Sequence, residues 1–468
     1  MLLEILRDIA VFLVAIIILV GFHEYGHFIT ARKCGVKVLR FSLGFGPIFY
    51  RRTGKDGCEY AFSLIPLGGY VKMLDTREGE VKPEEMKYEF NSQPVWKRLA
   101  IVAAGPLFNI LLAFFLFYFM YVIGVQALKP YVTNVEEGKP AYTAGIRNND
   151  LILEIDGNSV IDWEDASYTL IQYIGDQKVP VRVRHEDGTE AVYDLNIDGW
   201  SVDRSNPNFL EPLGFMPKLY ELTTRVGFIA DNSAASRADL KPFDKITGIN
   251  GQPINSWFEF LSYIKNNPGK TVTFSIQRPN YDSKNMKEPV TAEVLDSLPY
   301  EEKTVDITPV ADETGAFKFG IAPFSDTSKN SEVRFTRHYG FFEAIPKSIG
   351  KMYSVCKLTV VTIVKFIDGN IPVNNISGPI AIAQSAGMSL SVGIAYFLSF
   401  LGIISINLGI MNLLPVPVLD GGHIMFYLYE MVTGKKVSDA VMSRLVYVGM
   451  SLLLLLMVFA IFNDVYYN

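Results

Sequence analysis

The sequence contains little cysteine and no concentrated charge of one sign. Its three cysteines, Cys34, Cys58 and Cys356, have spacings that fit neither a disulfide framework nor a cysteine metal site. The formal net charge of −6 is spread along 468 residues, and no basic stripe suggests nucleic acid. These absences exclude a disulfide-stabilised scaffold and a nucleic-acid-binding protein.

Charge is also missing from long stretches of the chain. Uncharged runs of 30, 19 and 51 residues lie between Arg98 and Lys129, between Arg444 and Asp464, and between Asp368 and Asp420. Apolar residues make up 49% of the chain, and a bilayer core needs about 20 of them in succession. The sequence therefore predicts four transmembrane helices, at Ile9–Ala31, Leu99–Gln126, Val392–Leu414 and Leu445–Asn463.

Lysine and arginine in the short loops predict the orientation of these helices. Thirteen basic residues lie from Arg32 to Arg98, and Lys435, Lys436 and Arg444 follow the third predicted helix. Basic loops stay in the cytoplasm, so both termini and the long 127–390 region are expected on the outer side.

The first predicted helix ends in a metal-binding pattern. In His23-Glu24-Tyr25-Gly26-His27 the two histidines are four residues apart, so a helix projects both from one face. Two imidazoles at this spacing can hold zinc, and Glu24 is placed to accept a proton from the water that zinc activates. Ionisable groups in a membrane helix are energetically expensive, which favours a functional role over chance.

The third predicted helix runs in the same direction as the first and ends at the same membrane face. It leads into the segment Asn412–His423, which includes Pro415, Pro417 and the Leu419-Asp420-Gly421-Gly422 turn. Asp420 can therefore approach the histidine pair as a third ligand, with His423 as a rival. Asp420 could instead be an ordinary turn residue before two glycines.

Residues 38–73 have the composition of short strands. Val38–Phe45, Ile48–Arg52 and Tyr60–Ile65 are rich in β-forming residues, with a turn at residues 54–57 and the segment Pro66–Met73, including Gly68 and Gly69, after them. Such a sheet beside the metal could hold substrate in the extended form that proteases cut. The alternative is a plain cytoplasmic hairpin.

The region outside the membrane contains an internal repeat. Residues 138–157 recur 94 residues later as 232–251, starting at Asn232, and Trp163 matches Trp257. The pattern resembles the PDZ domain, and it predicts tandem PDZ-like domains at about 129–219 and 220–328. Such domains could bind an extended tail or could act as a size filter above the membrane.

Other polar residues are less specific. Asn109 and Asn412 lie within apolar spans, where an amide either bonds another helix or contacts substrate backbone. Residues 339–368 carry lysines between apolar residues, which is typical of a membrane-surface helix or of a packed soluble one.

Together these motifs resemble the site-2 proteases, which are intramembrane zinc metalloproteases. The likeness covers nearly the whole chain and rests on His23–His27, Pro66–Met73, Gly105-Pro106 with Asn109, the repeat, Ser377–Ile380 and Asn412–Gly422. It implies one zinc ion held by His23, His27 and Asp420, Glu24 as the catalytic base, and a substrate site near Asn412, Pro415, Pro417, Gly68 and Gly69. It also implies a bacterial inner membrane with the PDZ pair in the periplasm, and as substrates single-span anti-sigma factors trimmed by a first protease and signal-peptide remnants.

The expected fold is thus a polytopic α-helical membrane protein with a small membrane-associated β-sheet and two inserted PDZ-like α+β domains. The expected divisions are 1–128, 129–219, 220–328, a membrane-surface segment at 329–390, and 391–468. A zinc-dependent transporter or a non-catalytic PDZ scaffold remains an alternative, although neither needs Glu24 beside the first histidine.

Overall fold

A computed structural model describes residues 2–77, 79–203, 209–218, 222–231, 233–281, 290–311, 317–325 and 333–467. Within these residues, four helices are long and apolar enough to cross a membrane, at Ile5–Lys33, Val95–Ile123, Ile394–Leu413 and Asp439–Tyr466. The predicted number of spans is therefore confirmed. Asn232 and the predicted boundary residues 219, 220 and 328 lie outside the described residues.

The membrane region contains more helix than the sequence predicted. Its helices are α1 Leu2–Lys33, α2 Val95–Ile123, α8 Ala344–Ile367, α9 Pro379–Val392, α10 Ile394–Leu413, α11 Asp420–Thr433 and α12 Asp439–Tyr467. The prediction that the second span continues to Gln126 was wrong, because Gly124 adopts φ +95° and ends the helix. Helix α11 lies where the sequence indicated only a loop.

Helix α2 packs against most of the other membrane helices. Gly26 of α1 lies so close to α2 that a Cβ there would be 2.5 Å from the Ala104 carbonyl oxygen. On another side, Gly409 of α10 approaches the Pro106 carbonyl, and Ser405 of α10 donates a 2.7 Å hydrogen bond to the Asn109 carbonyl. Small residues at such contacts let helices in lipid approach closely.

The last span, α12, is bonded to α9 near its C-terminal end. The buried Asp464 carboxylate accepts backbone N–H bonds from Gly378, Ile380 and Ala381 at 2.9, 2.9 and 3.0 Å, at the start of α9. These N–H groups have no partner within their own helix, so the carboxylate caps α9.

The predicted sheet after α1 is present. The sheet is formed by two long strands, β1 (Val38–Thr53) and β2 (Glu59–Met73). Residues 40–43 of β1 pair on one side with residues 69–72 of β2 and on the other side with residues 59–62 of β2. Phe28 of α1 packs on Phe41 and Tyr60 of the sheet. Residues 69–72 form one edge, and their free side pairs with no described strand.

The first repeat folds as a unit around a buried apolar core that includes Trp163 and Leu170. Its elements are β4 Val132–Thr133, α3 Pro140–Ala144, β5 Leu151–Ile155, β6 Asn158–Ser159, α4 Trp163–Gln172, β7 Lys178–Arg184, β8 Glu190–Asn196 and β9 Met216–Pro217. The sheet order is β6-β5-β7-β8, and β4 pairs with β9.

The second repeat has its own core, built around Trp257, Phe260 and Phe274. Its elements are β10 Leu222–Ile229, α5 Ala234–Arg237, β11 Lys245–Ile249, β12 Gln252–Pro253, α6 Trp257–Asn266, β13 Val272–Pro279, α7 Ala292–Asp296, β14 Tyr300–Ile307, β15 Val310–Ala311, β16 Phe317–Lys318 and β17 Ile321–Ser325. The first and last of these strands are neighbours, and Leu222 lies opposite Ser325.

The two repeats share several matching elements. Strands β5 and β11, the short β6 and β12, and helices α4 and α6 all recur at the same 94-residue offset. The caps recur too, since Asp162 accepts the N–H of Asp165 at 2.9 Å and Ser256 accepts that of Glu259 at 3.1 Å. The repeat seen in the sequence is therefore a repeat of structure.

The first repeat is docked onto the membrane region through buried charges. Strand β3 (Val125–Leu128), which follows α2, pairs with β18 (Arg334–Arg337), and Arg337 contacts Asp162 at 2.6 Å. Lys351 of α8 contacts Glu164 at 2.6 Å. Burial raises the pKa of Glu164, but the Lys351 ammonium, the Tyr168 hydroxyl and the Arg337 charge together hold the pKa below its usual value.

Helix α8 combines features of both interpretations of residues 339–368. Ala344, Ser348, Lys351 and Val355 are buried against protein. Tyr353, Val360 and Ile367 are exposed apolar residues on another side. It is thus a packed helix that also has an apolar outer surface.

Candidate metal centre

The histidine pair of α1 is buried and convergent. His23 and His27 are each 9% exposed, and their Nε2 atoms lie 3.2 Å apart. The spacing of four residues along one continuous helix produces this approach.

Asp420 reaches the pair from the other half of the chain. It is the first residue of α11, and its Oδ2 lies 3.2 Å from Nε2 of His23 and 3.5 Å from Nε2 of His27. The turn before it is tight, since a Cβ on Gly421 would be 2.2 Å from the Leu414 carbonyl oxygen. His423, the rival ligand, lies against Phe426 with ring centroids 6.0 Å apart and is not part of the group.

The three atoms fit a zinc ion. Zinc binds imidazole nitrogen and carboxylate oxygen at about 2.0–2.2 Å in a tetrahedron, so neighbouring ligand atoms are about 3.3 Å apart. The three distances here are 3.2, 3.2 and 3.5 Å. Oδ2 of Asp420 is buried and accepts no well-aligned hydrogen bond from the described residues. Such a cluster of acceptors requires a cation.

The remaining ring nitrogens face helix α2. His27 Nδ1–H donates to the Ile101 carbonyl at 2.9 Å, which leaves Nε2 free as a ligand. His23 Nδ1 lies 3.2 Å from the Asn109 amide, whose Oδ1 has no partner among the described residues. A 180° turn of this amide lets Oδ1 accept the His23 Nδ1–H, so both imidazoles present Nε2 to a metal.

Gly105 of α2 leaves the space that the imidazoles occupy. A Cβ there would lie 2.3 Å from Nε2 of His27 and 2.9 Å from Cε1 of His23. Any larger residue would therefore displace the ligands. Of the two roles that the sequence allowed for Asn109, contact with another helix is the one observed. The sequence did not indicate the role of Gly105, since it depends on which face of α2 meets α1.

Glu24 lies at the rim of the group and interacts electrostatically with His23, His27 and Asp420. It also lies against the sheet, because a Cβ on Gly69 would be 2.8 Å from Cγ of Glu24. Gly69 thus leaves room for the Glu24 side chain. A Cβ on Gly68 would instead overlap the Phe45 ring.

The other predicted substrate residues lie on the path from α10 to Asp420. Asn412 is half-buried near the end of α10, Pro415 is exposed, and Pro417 is half-buried. A Cβ on Gly422 would lie 2.4 Å from Cα of Pro417, so the proline turn packs directly on the start of α11. This turn fixes where Asp420 begins its helix.

Comparison with known proteins gives matches along the whole chain. The profile of peptidase family M50 matches residues 11–456. The regulator of sigma-E protease RseP of Salmonella typhimurium is 38% identical over 464 residues, covering 99% of both chains. The protein of that name in Escherichia coli is 37% identical over 465 residues with the same coverage, and a relative in Vibrio cholerae, 37% identical over 464 residues and 98% of this chain, carries a zinc metalloprotease name.

We expect Asp420→Ala to lower the zinc content of the purified protein and His423→Ala to leave it unchanged. Asp420 lies within ligand distance of both imidazoles, whereas His423 does not. Metal analysis of the two variants after identical purification measures this. The opposite ranking would make His423 the third ligand.

Proposed function

Because the chain belongs to peptidase family M50, the site-2 proteases, and is an intramembrane zinc metalloprotease of the inner membrane, we propose that His23, His27 and Asp420 hold its single zinc ion and that it cuts within the transmembrane segment of single-span substrates. The convergence of these three groups supports this most strongly, since their ligand atoms come from distant parts of the chain and lie within 4.8 Å of one another. The transporter and scaffold alternatives are set aside, because the family is a peptidase family.

The protein residues have separate roles in the proposed reaction. Zinc in this site supplies Lewis acidity at the scissile carbonyl and lowers the pKa of the attacking water. Glu24 accepts the proton of that water as general base and returns it to the leaving amide nitrogen. Asn109 and the Ile101 carbonyl hold the imidazoles in the required orientation.

The sheet beside α1 supports presentation of an extended substrate. Helical backbone has its peptide groups bonded internally, so a membrane helix must unwind before cleavage. Residues 69–72 offer a sheet edge next to Glu24, and a substrate strand can pair with such an edge. Gly68, Gly69, Asn412, Pro415 and Pro417 are the residues proposed to surround that strand.

The names of the relatives suggest the substrate class. Several of them carry the name regulator of sigma-E protease. The proposed substrates are therefore single-span anti-sigma factors already trimmed by a first protease, together with signal-peptide remnants. In both, a short outer stub leads into a membrane helix.

The two repeats are proposed to be periplasmic PDZ-like domains that limit access to the site. Ion pairs with Arg337 and Lys351 hold the first repeat against the membrane region, which supports this proposal. None of the described residues of the two repeats belongs to the metal group. A bulky outer substrate domain would collide with these units, whereas a trimmed stub would pass.

We expect Glu24→Gln to retain zinc and to lose cleavage by on the order of 10²–10⁴-fold, because Glu24 moves a proton and is not a ligand. The measurement is zinc content together with cleavage of a model transmembrane substrate by purified protein. Cleavage at the parent rate in the zinc-loaded variant would contradict the mechanism.

The proposed orientation predicts the labelling of two single cysteines. Asn158→Cys should react with an impermeant thiol reagent applied from outside the inner membrane, and Lys55→Cys should react only after the membrane is opened. Both variants are made in a chain whose three natural cysteines are replaced. Reversed labelling would place the repeats in the cytoplasm.

Excising the second repeat tests the filter. Leu222 and Ser325 are neighbours across two strands, so a short linker can replace residues between them, and the contacts of Arg337 and Lys351 with the first repeat are kept. We expect trimmed substrate to be cut at the parent rate and untrimmed substrate to be cut where the parent rejects it. If the variant binds zinc normally but cannot cut trimmed substrate, the repeats deliver substrate instead.

A further inference from the structure

Arg98 and Glu430 form a buried ion pair between helices α2 and α11. The two guanidinium nitrogens Nη1 and Nη2 donate to Oε2 and Oε1 of Glu430 at 3.0 and 2.6 Å, which is a two-point contact. The side chains are only 5% and 15% exposed. Arg98 also donates from Nε to the Gln93 carbonyl at 3.1 Å, and its guanidinium lies 5.0 Å from the centroid of the Tyr427 ring.

On α2, Arg98 lies on the same helix face as the residues that support the metal group. On α2, Ile101, Gly105 and Asn109 follow Arg98 by about one, two and three helical turns. On α11, Tyr427 follows Asp420 by about two turns on nearly the same face, and Glu430 follows Asp420 by about 2.8 turns, about 80° around the helix. At one end of the contact between α2 and α11, Asp420 lies beside the two histidines. At the other end, Glu430 is paired with Arg98.

The geometry of the pair restricts how α11 can slide or turn. A planar guanidinium that meets a carboxylate at two points fixes both distance and orientation. Each guanidinium nitrogen of Arg98 already has a partner, so a shift of α11 would break bonds in a desolvated place and leave a buried charge. The proline turn before Asp420 fixes only the start of α11, whereas this pair fixes its far end.

We infer that Arg98 and Glu430 are positioning residues for the metal site: their two-point ion pair sets the register of α11 on α2 and thereby holds Asp420 at ligand distance from His23 and His27. The inference rests on the proposed role of Asp420 as a ligand. It assigns a role to two residues outside the proposed ligand group. Of these, Glu430 lies about three turns from Asp420 along α11, and Arg98 lies on α2.

The test is the zinc dissociation constant of Glu430→Gln, measured in purified protein by competition with a chelator. Loss of outer partners of metal ligands typically weakens binding by about 10–100-fold, and we expect a rise of about 10-fold here. The matched control is Arg278→Gln, which breaks a two-point pair with buried Asp244, at 2.9 and 2.8 Å, in the second repeat. The control variant should have the same zinc dissociation constant as the parent protein. An unchanged constant in Glu430→Gln, or an equal rise in both variants, would overturn the inference.

A second measurement separates positioning from general destabilisation. In an Asp420→Ala background the zinc site no longer depends on the register of α11. Adding Glu430→Gln should therefore leave the zinc dissociation constant unchanged. It should still lower the midpoint temperature of thermal unfolding of the metal-free protein. If Glu430→Gln weakens zinc binding equally with and without Asp420, the pair does not act through that residue. If Asp420→Ala alone leaves zinc affinity unchanged, the proposed ligand set itself fails, which is a distinct result.

Discussion

The arrangement of this protein depends on holding three acceptor atoms together in a place with little water. Nε2 of His23, Nε2 of His27 and Oδ2 of Asp420 lie 3.2–3.5 Å from one another, and the buried Oδ2 has no hydrogen-bond partner among the described residues. Without a cation such a group is unfavourable, so the surrounding structure must hold it in place until zinc binds. Gly105 leaves the space for the imidazoles, Asn109 and the Ile101 carbonyl hold their outer nitrogens, and the Arg98–Glu430 pair holds the helix that carries Asp420.

All of these supporting residues except Glu430 lie on helix α2. It meets α1 at Gly26 and Gly105, α10 at Asn109 and Pro106, and α11 at Arg98. Its C-terminal end continues into β3, which pairs with the strand that carries Arg337. The same helix therefore links the metal group to the first repeat.

Much of this could be predicted from the sequence because it depends on local pattern. The His23–His27 spacing, the charge-free spans and the 94-residue repeat each follow from residues close together in the chain, and each corresponds to an observed element. The choice of Asp420 over His423 came from family resemblance, and only the fold shows which of the two faces the histidines. Helix α11 was missed because its residues follow a proline turn and do not form a long apolar run. The roles of Asn109, Gly105 and Arg98 depend on which faces of α2 meet its neighbours, and a single sequence does not specify those contacts.

The coordination shell of bound zinc tests the central claim most directly. X-ray absorption at the zinc edge, on purified zinc-loaded Glu24→Gln protein, reports the identity and distance of the ligand atoms. The account predicts two imidazole nitrogens and carboxylate oxygen, all at about 2.0–2.2 Å, with no sulfur. A sulfur ligand at about 2.3 Å, or a shell with three imidazoles, would contradict the site formed by His23, His27 and Asp420.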